Sequence, residues 1–268
     1  MSKLLIKPSA SDADGRVHDV TPQTAGWSHV GFAVHGLRDG QSLARETGAR
    51  EHCLVLLSGK VAAQAGGQDF GVIGGRNSPF EADPWSLYVP AGSDWSVTAR
   101  GSCEVAICSA PGVANARPPR LIAPRDVGCL TRGQGSNTRH VRNILPETEP
   151  ADGLLVVEVV TPAGSWSSYP PHKHDQDRLP AESQLEETYY HRLNPPQGFG
   201  FQRVYTDDRS LDETFAFEDG DVVLVPKGYH PVGAPHGYDL YYLNVMAGPK
   251  RIWKFHNDPA HEWMLAGR

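Results

Sequence analysis

The chain has 268 residues, a net charge of −6 and a pI near 6.0. No Lys/Arg run breaks that balance, which excludes a nucleic-acid surface built on bulk positive potential and confines anion recognition to local arginines. The length suffices for one large or two ordinary domains with real cores and no structural disulfide.

The N-terminal stretch "MSKLLIKPSASDADG" lacks the apolar core of a signal peptide. The longest apolar runs, such as "CLVLL" at 53–57, fall far short of the ~20 residues that span a bilayer. A soluble, cytoplasmic protein with no membrane partner is expected. Cys53, Cys103, Cys108 and Cys129 include no CxxC pair and are read as buried, reduced thiols.

Short segments rich in Val, Leu, Tyr and Phe follow one another, punctuated by the 28 glycines and 22 prolines. They are 52–65, 85–99 and 103–110, then 154–162, 186–193, 198–206, 214–228 and 238–248. Helical signals are confined to "DPAHEWML" near the C-terminus, with Asp258 as N-cap and Pro259 at the first helical position. An all-β sandwich or barrel is predicted. "SLYVPAGSDWSV" (86–97) and "VVLVPKGYHPVG" (222–233) share a strand closed by Val-Pro-x-Gly. An internal duplication explains this, with one barrel in residues 1–130 and a second in 131–268, joined through the Pro/Ala/Arg-rich stretch 110–126.

"PPHKHD" places His172 and His174 two apart, so an extended strand directs both to one face. Glu187 opens the next strand beyond the long polar loop 175–186, and His230 follows the turn Pro226–Gly228. A lone strand histidine is usually a surface or satisfied core residue. Three imidazoles and a carboxylate in hairpin order instead suit a divalent ion, Zn²⁺ first and Mn²⁺ or Fe²⁺ as alternatives. The first half has Ser93-Asp94-Trp95 after its Pro-x-Gly and no preceding His-x-His, so its barrel is expected to lack metal. Most other histidines have no partner at ligand spacing and are read as structural, with His140 and His191 as further pocket candidates.

The His-x-His…Glu and Gly-x5-Pro-x-Gly…His segments resemble the two cupin motifs. Together with "LEETYYHR", "GFGFQRVYTDDRSLDE", "DVVLVPKGYHPV" and "YDLYYLNVMAGPKRIW", they resemble the 5-deoxy-glucuronate isomerase family of inositol catabolism. The resemblance implies a bicupin with metal only in the C-terminal barrel, the other barrel being structural or dimerising, which leaves a homo-oligomer open. It implies an aldose–ketose isomerase converting 5-deoxy-glucuronate to 2-deoxy-5-keto-gluconate. Rival expectations are a cupin isomerase of a pectin-derived keto-uronate, an Fe²⁺ dioxygenase and a non-catalytic sugar-binding bicupin.

Under the isomerase expectation a base is needed at the hydroxyl-bearing carbon, unless hydride moves directly. Glu158, in the apolar run "VVEVV", is the candidate base, with Tyr190 and Tyr242 as proton relays. Arg142 and Arg203 are candidates for the substrate carboxylate, and Gln202, Tyr205 and Asn244 for its hydroxyls. Each has a plainer reading as a packed or solvated strand residue.

Overall fold

A computed structural model describes residues 2–266. Its strands form two compact units, each folded from antiparallel sheets. One comprises Pro8–Gly128 and Arg142–Val156; the other comprises the segment up to Lys7, Cys129–Val141 and the chain from Val157 onward. Among the described residues no helix is long and apolar enough to cross a membrane.

In the first unit a six-stranded sheet runs in the order 120–122, 86–89, 50–58, 103–111, 31–37, 16–20. A four-stranded sheet, 42–46, 94–99, 60–65, 68–74, belongs to the same unit. Val61, Ala63 and Ala65 are buried while Lys60 and Gln64 are exposed, the period of two that a sheet with one solvated face requires. Leu54, Leu56, Leu87, Val97 and Val105 form the core with Trp95. Glu51, fully buried, accepts the backbone N–H of Asp152, Gly153 and Leu154 and the hydroxyl of Tyr88. Its carboxylate thereby fastens the segment Arg142–Val156 to the strand Arg50–Ser58.

A seven-stranded sheet orders 5–6, 222–225, 186–194, 239–247, 155–161, 139–145, 128–132, and in the second unit a four-stranded sheet orders 166–167, 232–233, 199–205, 212–218. The predicted loop 175–186 is itself a small ribbon, Asp175–Arg178 against Glu182–Gln184. A second ribbon pairs His172–Lys173 with His256–Asn257. The predicted C-terminal helix is a 3-10 helix, Pro259–Ala266, with Asp258 Oδ1 accepting the Ala260 N–H at 3.0 Å.

Strand register makes the internal repeat concrete. His52 lies opposite Val89, and Glu187 lies opposite Val225. Each valine opens a Val-Pro-x-Gly turn, so His52 occupies in one unit the position that Glu187 occupies in the other. Gly228 in that turn has φ of 92°, and a Cβ there would stand 2.5 Å from the Tyr205 carbonyl oxygen, so only glycine fits. Cys53, Cys103 and Cys108 are buried free thiols as expected, but Cys129 is exposed. It lies on Gly128–Arg132, at the end of the strand order, where residues 128–131 are all exposed.

Candidate metal centre

His174, Glu187 and His230 converge, their ligating atoms all within 4.8 Å of one another, and all three are buried. The strand Glu186–Asn194 delivers Glu187 to the barrel interior, and the Val225–Gly228 turn delivers His230. Both imidazoles have one nitrogen committed: His174 Nδ1 bonds the Leu185 carbonyl at 3.2 Å, and His230 Nδ1 the Gly228 carbonyl at 2.9 Å. A carbonyl only accepts, so each Nδ1 carries its proton and each Nε2 faces inward.

Both Nε2 atoms approach the same oxygen, Glu187 Oε2, at 3.1 Å from His174 and 3.2 Å from His230. Burial lowers the His174 pKa, but the bond to Glu187 and its charge outweigh that and raise it overall. One proton can therefore bridge His174 to Glu187. Burial lowers the His230 pKa and outweighs the Glu187 charge, and its Nε2 lies close to the carboxylate without hydrogen-bond geometry. Two inward lone pairs and an anionic oxygen are what a divalent cation satisfies and a single proton does not. The residues fit a metal ion.

His172 stands beside the cluster, its ring 5.1 Å from His230 and 4.6 Å from Phe255, centroid to centroid. Its pKa is lowered by burial and then by the neighbouring imidazoles. A small cavity of about 30 Å³ adjoins Glu187 and His172. Tyr189, Tyr242, Asn244, Arg139 and Arg132 also line it. Tyr189 shares a hydrogen bond with Ser168, and Tyr242 with Ser167. Burial pushes the Tyr242 hydroxyl up to about 12 and the Tyr189 hydroxyl well above its ordinary value, so both are neutral donors. Arg139 Nη1 donates to the Asn137 carbonyl and side-chain oxygens at 3.0 and 2.9 Å. Among the described residues lining this cavity, Glu187 is the only carboxylate.

The other anticipated site residues are placed elsewhere. Glu158 is fully buried but accepts from the Tyr241 hydroxyl at 2.9 Å, whereas its neighbours Val157 and Val159 line the cavity. Successive strand residues face opposite ways, so Glu158 points to the far side of the sheet. Tyr190 is turned away from Tyr189 for the same reason, and Arg192 Nη1 reaches its hydroxyl at 3.5 Å. Arg142 pairs with Asp83 at 2.8 Å in the first unit, and the cavity arginine is Arg139. Arg203 pairs with Asp212 at 2.7 Å beside the Tyr205 ring, and the Tyr205 hydroxyl donates to Asp258. Gln202 acts behind the site: its Oε1 pairs with His191 Nε2 at 3.1 Å, and its Nε2 donates to the His230 carbonyl. His191 is buried and stacked on Phe217, and His140 pairs with Thr131. Of the anticipated catalytic and substrate residues, Tyr242 and Asn244 line the cavity. Tyr189, Arg132 and Arg139 were missed. Alternation from Glu187 through Tyr189 was the available signal for the first.

The KduI/IolB family model matches residues 4–264. The chain belongs to the KduI/IolB family. Among relatives in that family, the 5-deoxy-glucuronate isomerase of Geobacillus kaustophilus (strain HTA426) is 57% identical, covering 100% of this chain and 97% of that protein. The 5-deoxy-glucuronate isomerase of Bacillus subtilis (strain 168) is 52% identical, with 99% of each chain covered. An IolB-like protein of Salmonella typhimurium is 51% identical, covers 98% of this chain and 99% of that one, and superposes with a TM-score of 0.95. The oxalate decarboxylase of Lactobacillus farciminis is 14% identical and superposes at 0.70, covering 100% of this chain and 91% of that one. That likeness concerns the fold alone, and this KduI/IolB protein is an all-β bicupin.

Proposed function

We propose that the chain is a 5-deoxy-glucuronate isomerase, converting its aldose substrate to 2-deoxy-5-keto-gluconate in inositol catabolism, in the cytoplasm. The family and its full-length isomerase relatives support this reading. The observation that carries the site is the pair of inward Nε2 atoms facing one buried carboxylate oxygen. His174, Glu187 and His230 hold a divalent ion, with neighbouring His172 as the fourth donor and Zn²⁺ as the native metal. When bound, such an ion polarises a carbonyl and stabilises negative charge developing on neighbouring oxygens.

The chain's own groups supply the rest. Arg139 and Arg132 bind the substrate carboxylate, placing the chain of hydroxyls toward the imidazoles. Asn244, whose Nδ2 donates to the Thr188 carbonyl at 3.3 Å, offers its amide oxygen to a substrate hydroxyl. The Tyr242 and Tyr189 hydroxyls, neutral and backed by Ser167 and Ser168, donate to substrate oxygens as charge develops there. Val141, Val157 and Val159 form the apolar wall that keeps water out. The unit containing Val157 onward is the catalytic barrel, and the first unit carries no metal.

Proton NMR of the purified protein with 5-deoxy-glucuronate in D₂O, with and without a chelator, tests the proposal. Loss of the aldehyde signal, blocked by chelation and restored by Zn²⁺, is expected. Deuterium at the hydroxymethyl carbon reports proton transfer, and its absence reports direct hydride transfer. No conversion by a metal-loaded sample defeats the proposed activity; conversion indifferent to chelator and metal defeats the metal assignment.

A further inference from the structure

The first unit contains a cavity of about 320 Å³. His52 lines it from the register position that Glu187 holds in the metal centre. Trp95 Nε1 can only donate, and its N–H donates a hydrogen bond to His52 Nδ1 at 2.9 Å. Burial, and then the charge of Arg50, lowers the His52 pKa to about 4. The ring is therefore neutral, with its proton on Nε2. Where the other unit has a metal-binding carboxylate, this one has a fixed hydrogen-bond donor.

The surrounding chain explains why this cavity is open. Ala44 pairs with Ser96 and Ser167 with Val232, equivalent positions beyond the two Val-Pro-x-Gly turns. In the first unit the chain runs directly from Ala44 to His52. In the second it runs from Ser167 to Glu187 and carries His172, His174 and then the ribbon of Asp175–Arg178 against Glu182–Gln184. That excursion is missing here, and the space is about 320 Å³ rather than about 30 Å³.

The lining is mixed in a way that selects a ligand. Arg16 and Arg45 are each 42% exposed and pair with aspartates at the surface: Asp12 and Asp19 for Arg16, Asp14 for Arg45. Exposed ion pairs of this kind exchange readily for another carboxylate. Glu46 and Asp19 also line the cavity and repel a bare anion, but both accept from hydroxyls. Phe32 and Ile107 add an apolar wall suited to the C–H face of a sugar. We propose that this cavity is a second, non-catalytic ligand site for a small polyhydroxylated carboxylate of the sugar-acid class. The carboxylate lies on Arg45 and Arg16, with hydroxyls on His52 Nε2 and Glu46. The site stands on this unit's residues alone and does not depend on the isomerase assignment.

Calorimetric titration of the metal-loaded full chain with D-glucuronate tests it, with D-glucose as the uncharged control. Two binding events are expected with glucuronate. Arg45→Ser weakens one of them about tenfold, the loss of one charge-assisted contact. His52→Phe abolishes the same event, and both variants retain isomerase turnover. Because Arg45 is on the surface, Arg45→Ser decides the matter if His52→Phe melts early. Glucuronate binding that neither variant alters, or glucose binding the site as tightly as glucuronate, overturns the proposal.

Discussion

Replacing Glu51 by Gln removes one charge and exchanges one acceptor for a donor at a fully buried position. Glu51 Oε1 receives the N–H groups of Gly153 and Leu154, both at 2.6 Å; Oε2 receives the Asp152 N–H at 2.8 Å and the Tyr88 hydroxyl at 2.6 Å. The best arrangement of the amide keeps its oxygen on Gly153 and Leu154 and lets the Tyr88 hydroxyl turn to accept. The Asp152 N–H then faces an NH₂ group. One unsatisfied amide costs ~1–3 kcal/mol and two bonds losing charge assistance cost ~1 kcal/mol each, a total of about 3–5 kcal/mol. For a unit of this size that lowers the melting temperature by about 10–17 °C. Tyr88→Phe leaves the three amides bonded and costs only ~1–2 kcal/mol, so the two variants rank in a fixed order. Differential scanning calorimetry reads both. A Glu51→Gln melt within ~2 °C of wild type would show that the carboxylate does not hold the segment, against a per-bond scale of ~1–3 kcal/mol.

Glu187→Gln leaves both inward imidazoles without an anionic partner, and His230→Ala removes one of them; each loses metal on dialysis and with it turnover, as metal analysis and kinetics will read. Arg139→Met raises KM by ~10–100-fold and changes kcat less, since the carboxylate it binds lies away from the reacting carbons; KM within twofold of wild type rejects that contact. Burial lowers the His191 pKa to about 3. Its unfolded value is ~6.5, so the unfolded chain binds the extra proton and stability falls as pH drops from ~6.5 toward the folded pKa. Wild type should lose about 2 kcal/mol more than His191→Leu between pH 7 and pH 5 in urea titrations; equal losses would place His191 in water.

The sequence patterns that survive translation into three dimensions are those set by local geometry. His-x-His points one way because a strand repeats every two residues, and Val-Pro-x-Gly closes a strand because proline and a positive-φ glycine stop it. The same period, carried along "EETYYHR" from Glu187, selects Tyr189 over Tyr190. What strand patterning alone does not contain is which face of a neighbouring strand meets the site. Glu158 has the composition of a buried base, yet Val157 and Val159 take the cavity face. Arg139 and Arg142 sit three apart on one strand and therefore face oppositely, one toward the metal residues and one toward Asp83. Long-range pairing decides such cases, and a one-residue shift reverses every answer.

Register also explains why, among the described residues, only one unit brings three metal-ligating side chains together, and the explanation can be tested by restoring the missing carboxylate. His52→Glu places a glutamate opposite Val89, as Glu187 stands opposite Val225. A metal site needs other donors to converge on it. The residue as far beyond Val89 as His230 is beyond Val225 is Asp94, which is exposed, while buried Trp95 fills the interior. The short passage from Ala44 to His52 carries no His-x-His, so two of the remaining donors have no strand to stand on. The new carboxylate would accept from Trp95 and attract Arg50 instead. Metal analysis of His52→Glu should therefore return the same single equivalent per chain as wild type. A second, tightly held equivalent would mean that convergence can arise without the excursion between Ser167 and Glu187, and the account of the two units given by their register would fail.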